Sequence, residues 1–164
     1  MPAARPGRSR PILIVTAAEG EAAAIARALA TGRRVAKVGA EWRVVALAPR
    51  VHLVRSGVGK VNAAACVLLT AAPGRYAAVL NMGIAGALPR DASCRRFRAE
   101  LGEVVVATHS VYADEGIVTP RGYQELSSMG FPIGGSDDGF AGIDGPAIAG
   151  DRRLLARLVA ACPP

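Results

Sequence analysis

The sequence predicts a three-layer α/β domain on a mixed, largely parallel sheet, and three observations carry that expectation. Continuous apolar runs such as PILIVT (11–16) alternate with Ala/Leu-rich segments of helical composition. That is the pattern of strands buried on both faces and of helices that cover them. Hydrophobic residues are 51% of the chain and aromatics only 4%, so a core must be built from Ala, Val, Ile and Leu. Gly-rich turns follow several of the apolar runs, where loops gather at the carboxyl ends of strands in such sheets.

In chain order, residues 1–10 read as a disordered basic tail and 11–164 as one domain. Pro11–Thr16 is the first strand. Glu19–Leu29 is a helix by its Ala-rich composition, with Gly32 as its stop. Short strands are expected at Arg34–Val38, Trp42–Ala48 and Val51–Val54. Ser56-Gly57-Val58-Gly59 breaks the pattern, and Lys60–Ala72 is a second helix that Pro73-Gly74 ends. Tyr76–Met82 reads as another buried strand, running into Gly83-Ile84-Ala85-Gly86. Pro89–Glu100 is an Arg-rich loop, Gly102–Tyr112 a strand, and Ala113–Asp144 a long Gly-rich irregular stretch. Asp151–Ala161 is a final helix with Leu154, Leu155, Leu158 and Val159 on one side. No internal repeat is visible.

The 164 residues and 20% charged content fit a globular domain with a real core. The net charge of +7 raises the question of nucleic acid. Its arginines, among them Arg5, Arg8, Arg10, Arg33, Arg95, Arg96, Arg152 and Arg153, fall in the tail, in loops or at a helix start. No aromatics interleave with them as a stacking platform would need, and no recognition-helix pattern occurs. A solvated basic surface is the expected reading, with no nucleic-acid partner. Cys66, Cys94 and Cys162 are scattered, with only His52 and His109 to join them. This argues against a zinc site or a disulfide framework and for a reducing compartment. No stretch reaches the roughly 18 apolar residues of a membrane span, and the basic, Pro-rich start lacks a secretory core. A soluble cytoplasmic protein is expected.

Three loops at strand ends are chemically distinctive. In Ala17-Ala18-Glu19-Gly20-Glu21, two carboxylates stand at a strand-to-helix junction. They suit the positive end of the helix dipole, and they equally suit a general base. Ser56-Gly57-Val58-Gly59-Lys60 lets a backbone approach a ligand before a helix start. It is neither a Walker motif nor a dinucleotide fingerprint, and a tight turn alone would explain it. Asn81-Met82-Gly83-Ile84-Ala85-Gly86 repeats the arrangement of strand and then Gly-rich turn. Asp114-Glu115-Gly116 adds a polar turn that is either an ordinary acidic turn or a fourth point of convergence.

The order ILIVTAAEGE, SGVGKVNAA, VLNMGIAGAL and LGEVVVATHSVYAD resembles the nucleoside phosphorylase/nucleosidase superfamily over roughly residues 12–160. Within it, YADEGIVTPRGYQELSSMGFPIG is most similar to futalosine hydrolases of menaquinone biosynthesis, with methylthioadenosine/adenosylhomocysteine nucleosidases the nearest relatives. The resemblance implies hydrolysis of a ribose–purine bond through an oxocarbenium-like transition state, one carboxylate activating water and an acid protonating the departing base. It gives the water-activating role to Glu21 and leaves Glu19 a structural one. It puts Val58 beside the sugar or its 5′ substituent and Ile84, Ala85 and Gly86 along base and ribose, and counts Ala17 and Gly59 among the substrate-binding residues. The methylthioadenosine nucleosidases carry Ser where Ile84 stands, so that hydrogen bond is lost here. AAEGE and NMGIAG lack the Arg, Ser or Thr with which the phosphorylases hold phosphate, which favours water as the nucleophile.

The resemblance further implies a homo-oligomer, a small nucleoside as the partner, and neither metal nor organic cofactor. Family members continue past the last helix into strands that bring a ribose-gripping Glu and a base-protonating Asp. Residues 11–164 are thus expected to be an incomplete domain with the C-terminal strands missing. Each such group is worth about 10²–10⁴ in rate, so this chain alone should have little hydrolase activity. Its uncovered edge and apolar face should make it aggregation-prone. Alternatives are a methylthioadenosine/adenosylhomocysteine nucleosidase, another purine nucleoside phosphorylase-like enzyme, or a nucleoside-binding module without chemistry.

Overall fold

The computed structural model describes residues 10–29, 34–38, 42–88, 99–129 and 147–162. The tail at 1–9, the Gly32 stop, the Arg-rich loop at 89–98 and the Gly-rich stretch from 130 onward lie outside the described residues. The chain forms two compact units, Met1–Gly86 and Ala87–Pro164.

In the first unit, β1 (Ile12–Thr16), β2 (Arg34–Val38), β3 (Trp42–Ala48), β4 (Val51–Arg55) and β5 (Ala78–Asn81) form one sheet in the order β2-β3-β4-β1-β5. The sheet is mixed, as the sequence predicts. β1 lies between β4 and β5, parallel to both, and β2-β3-β4 is an antiparallel meander. A central strand paired on both sides must be apolar on both faces, and Leu13, Ile14 and Val15 are all buried. The helix α1 (Glu19–Leu29) sets Ala22, Ile25 and Ala26 against Ile14, Leu47 and Leu53 on one face. On the other face, α2 (Lys60–Thr70) sets Cys66 and Val67 against Leu13, Val15, Val44 and Val54. Helix, sheet and helix make the three expected layers. Burying seven or so such side chains at about 1.5–3 kcal/mol each is the main favourable term of this unit.

Two expectations need trimming here. The second helix ends at Thr70, with Ala71 as its C-cap, its amide bonded to the Val67 carbonyl at 2.8 Å. β5 is shorter than Tyr76–Met82, and its residues alternate between half-buried and exposed. The reason is position: among the described residues β5 closes the order of the sheet and pairs on one side only, with β1. Tyr76, although buried, precedes the strand and packs into the α2-side core.

In the second unit, the strand expected over Gly102–Tyr112 is reduced to β6 (His109–Val111). Val104 and Val105 lie exposed outside it. A β-prone run becomes a strand only where its backbone finds a partner. β6 finds β9 (Ala147–Ala149), a short strand that local composition does not announce. The stretch expected to be irregular from Ala113 holds a hairpin of β7 (Gly116–Thr119) and β8 (Gly122–Glu125), followed by a turn of 3₁₀ helix at Leu126–Met129. Thr119 closes the turn, its hydroxyl accepting the Arg121 N–H at 3.1 Å and donating to the Gly122 carbonyl at 2.9 Å. The last helix, α3 (Arg152–Ala161), starts where expected, because the Asp151 carboxylate caps it by accepting the Leu154 N–H at 2.8 Å. Leu154, Leu155 and Leu158 are half-buried, and Val159 is exposed. Among the described residues, no helix is long and apolar enough to cross a membrane.

Candidate active site

β1, β4 and β5 run parallel, so their carboxyl ends deliver the first, second and third loops to one edge of the sheet. The first two loops are tied at their roots. The Ser56 N–H donates to the Thr16 carbonyl at 2.8 Å and the Ser56 hydroxyl to the same oxygen at 3.1 Å. The third is tied to the first by the Met82 N–H, which donates to the Val15 carbonyl at 2.9 Å.

Glu21 is the centre of this arrangement. Its Oε2 accepts the Ala18 N–H at 2.9 Å and the Ala17 N–H at 3.1 Å, and its Oε1 accepts the Ile84 N–H at 3.0 Å. The first two bonds follow from local geometry. The Ala22 N–H donates to the Ala18 carbonyl, so Ala18 is the N-cap of α1 and Glu21 its third helical residue. A Glu there reaches back to the N-cap amide, as in the reciprocal capping box. The third bond is tertiary and spans the sheet edge. Together they hold the carboxyl below the usual carboxylate range, Ala18 contributing most and Ile84 next; desolvation opposes them, and the Ala17 bond adds least. Glu21 thus caps its own helix and, through Ile84, ties the first loop to the third.

Glu19 is elsewhere. Its exposed carboxylate accepts from the Arg55 guanidinium at 3.1 Å, a surface pair worth about 0–1 kcal/mol.

The second loop is shaped by Gly59, the N-cap of α2, at φ 106° and ψ 152°, a conformation essentially reserved for glycine. Asn62 donates from its amide to the Val58 carbonyl at 2.8 Å, and the Trp42 indole N–H donates to the Ser56 carbonyl at 2.9 Å. Val58 itself projects with 77% of its surface exposed. Ala17 and Val58 share a cavity of about 490 Å³ with Glu19, Trp42, Arg55, Ser56, Gly57 and Asn62.

Of the residues singled out from sequence, Glu21, Ala17 and Ile84 are joined directly by hydrogen bonds, and Val58 is brought beside Ala17. Ile84 contributes its backbone, its side chain being 92% exposed. Ala85 and Gly86 lie exposed in the irregular segment after β5. Sequence reasoning missed the Ala18 amide, since an Ala N-cap lacks the Ser/Thr signal of a capping box. It missed Trp42 and Arg55 because each lies within a strand and is brought to the loops by sheet register. Among the described residues, no group of His, Cys, Asp and Glu side chains gathers as a metal site would.

The phosphorylase superfamily model matches residues 11–163. No curated protein matches the chain. Among solved structures, the chain is similar to a 5′-methylthioadenosine/S-adenosylhomocysteine nucleosidase from Colwellia psychrerythraea 34H in complex with adenine, with a TM-score of 0.67 and 24% identity. The match covers 93% of this chain and 55% of that one. It is also similar to the Streptococcus pyogenes S-adenosylhomocysteine nucleosidase in complex with 5-methylthiotubericidin, with a TM-score of 0.65 and 22% identity over 95% of this chain and 58% of that one. The Streptococcus pneumoniae nucleosidase in complex with 8-aminoadenine gives a TM-score of 0.64 and 22% identity over 92% and 58%. At these identities the likeness establishes the fold. The chain spans between half and three-fifths of the length of these solved structures.

Proposed function

The chain thus belongs to the phosphorylase superfamily, and on that premise we propose that it carries the water-activating part of a nucleoside N-ribosyl hydrolase whose substrate is futalosine. The observation that carries the reading is the seat of Glu21. Three backbone N–H groups from two loops keep its carboxylate ionised at neutral pH. A fixed anion beside a ribose stabilises the positive charge that grows on the sugar as the base departs, and it takes the proton of the attacking water.

Water is favoured over phosphate as the nucleophile. The first and third loops carry no cation or hydroxyl (AAEGE and NMGIAG). The Arg55 guanidinium beside the second loop is engaged with Glu19 at 3.1 Å. A phosphate would lack the donor-rich cradle it needs. Futalosine is favoured by YADEGIVTPRGYQELSSMGFPIG and by Ile84, which offers no hydroxyl in its loop. The second reading, methylthioadenosine/adenosylhomocysteine nucleosidase, is favoured by the likeness to solved nucleosidases of that specificity. The site as proposed works in the cytoplasm, in a homo-oligomer and without a cofactor.

The test is turnover by a protein that spans the full length of the solved relatives and contains this chain. Futalosine, methylthioadenosine and adenosylhomocysteine are each supplied with and without phosphate. Phosphate-independent release of the base from futalosine is expected, with Glu21→Gln lowering kcat by about 10²–10⁴ and leaving KM nearly unchanged. Preference for the other two nucleosides would move the assignment to the second reading. Nucleoside binding without turnover would make this a binding module.

A further inference from the structure

Sequence places Gly83 in the third loop without a role at the site, yet it lies closer to the Glu21 carboxylate than any side chain could. A Cβ built on Gly83 would stand 2.9 Å from Glu21 Cδ and 3.3 Å from its Oε2, and closer still to Oε1. Real Cβ atoms do not approach carboxylates that closely, so something would have to move. The backbone is poorly placed to do so. The Met82 N–H, one residue earlier, is bonded to the Val15 carbonyl at 2.9 Å, and the Ile84 N–H, one residue later, is bonded to Glu21. Gly83 is outside the left-handed region in which glycine is required for its torsion angles. The requirement here is for empty space alone.

We infer that Gly83 is a positioning residue for Glu21: its bare Cα leaves the space in which the Glu21 carboxylate meets the Ile84 N–H, and any side chain at 83 would push the carboxylate out of that seat. Oε1 is the atom nearest the missing Cβ, and it is also the atom that holds the Ile84 N–H. The tertiary bond between first and third loops is therefore the first to break, while the Ala17 and Ala18 bonds to Oε2 belong to the α1 cap and survive longer. The importance of Gly83 for catalysis rests on the proposed role of Glu21, because a displacement of about 1 Å of a catalytic group can cost about 10² in rate. The steric relationship itself does not depend on that role.

The test uses this chain, Gly83→Ala, and the same substitution in a Glu21→Ala background. Glu21 titration is followed by ¹³C NMR of its side-chain carboxyl, and stability by urea unfolding. Gly83→Ala is expected to move the Glu21 midpoint up toward the ordinary carboxylate range and to lower the unfolding midpoint. In the Glu21→Ala background the same methyl should cost little, since the space is then free. If Gly83→Ala prevents folding, recovery of folding in the double variant supports the inference. An unchanged Glu21 titration, or an equal loss of stability in both backgrounds, would overturn it. Neither readout requires turnover, so the inference can stand or fall apart from the proposed activity.

Discussion

The Glu21 carboxylate accepts the Ile84 backbone N–H at 3.0 Å across 63 positions of sequence. This bond joins the loop after β1 to the loop after β5, two strands that lie side by side and parallel. The same carboxylate accepts two amides from its own helix cap. One ionised side chain thus fixes the start of α1 and the relative placement of two loops.

This seat makes stability depend on acid. The Glu21 pKa is lower folded than unfolded, chiefly through the Ala18, Ile84 and Ala17 amides. As pH falls, the unfolded chain takes up the proton first, so stability declines. The contribution is fully present above the unfolded carboxylate range, and it is gone once pH has dropped through the folded value. Urea unfolding followed from about pH 7 to 3 should show a steeper loss in the wild type than in Glu21→Gln. Equal slopes would mean that the amides do not hold the charge.

Gly59→Ala tests the second loop. The added Cβ would meet nothing within 4 Å, so the whole cost is backbone strain at φ 106°. A loss of about 1–3 kcal/mol in denaturant unfolding is expected. A neutral substitution would show that the loop adopts an ordinary conformation.

Thr16 is fully buried at the end of β1, and its hydroxyl oxygen has no hydrogen-bond partner among the described residues. Valine has nearly the same shape without the polar atom. Thr16→Val is expected to raise stability by about 1 kcal/mol, because an unsatisfied buried hydroxyl is costly to desolvate. Destabilisation instead would reveal a partner for the hydroxyl, such as an ordered water.

Asp151 caps α3 through the Leu154 N–H at 2.8 Å. Asp151→Ala should cost about 1 kcal/mol and should speed amide exchange in the first turn of α3. Unchanged protection there would show that packing of Leu154, Leu155 and Leu158 alone sets the start of the helix.

Sequence by itself determined the first unit almost element by element. PILIVT carried the mark of a strand buried on both faces, and the Ala-rich run after it had the composition of a helix that covers such a strand. The glycines at 57, 59 and 83 marked the turns that end the apolar runs. Local pattern suffices there because each element carries its own period and its own stop.

Tertiary structure decided the rest. Whether VVVATHSVY pairs along its length or only at His109–Val111 depends on a partner far along the chain, and Ala147–Ala149 supplies three residues of it. The alternating exposure of β5 depends on which neighbours stand beside it. The role of Glu21 was ambiguous between helix cap and base because both need a carboxylate at one place in sequence. Its bond to Ile84 settles where that carboxylate sits, and no local signal could announce it, since parallel pairing of β1 with β5 alone brings the two loops together. Gly83 follows the same logic. Its missing side chain has meaning only once Glu21 fills the space.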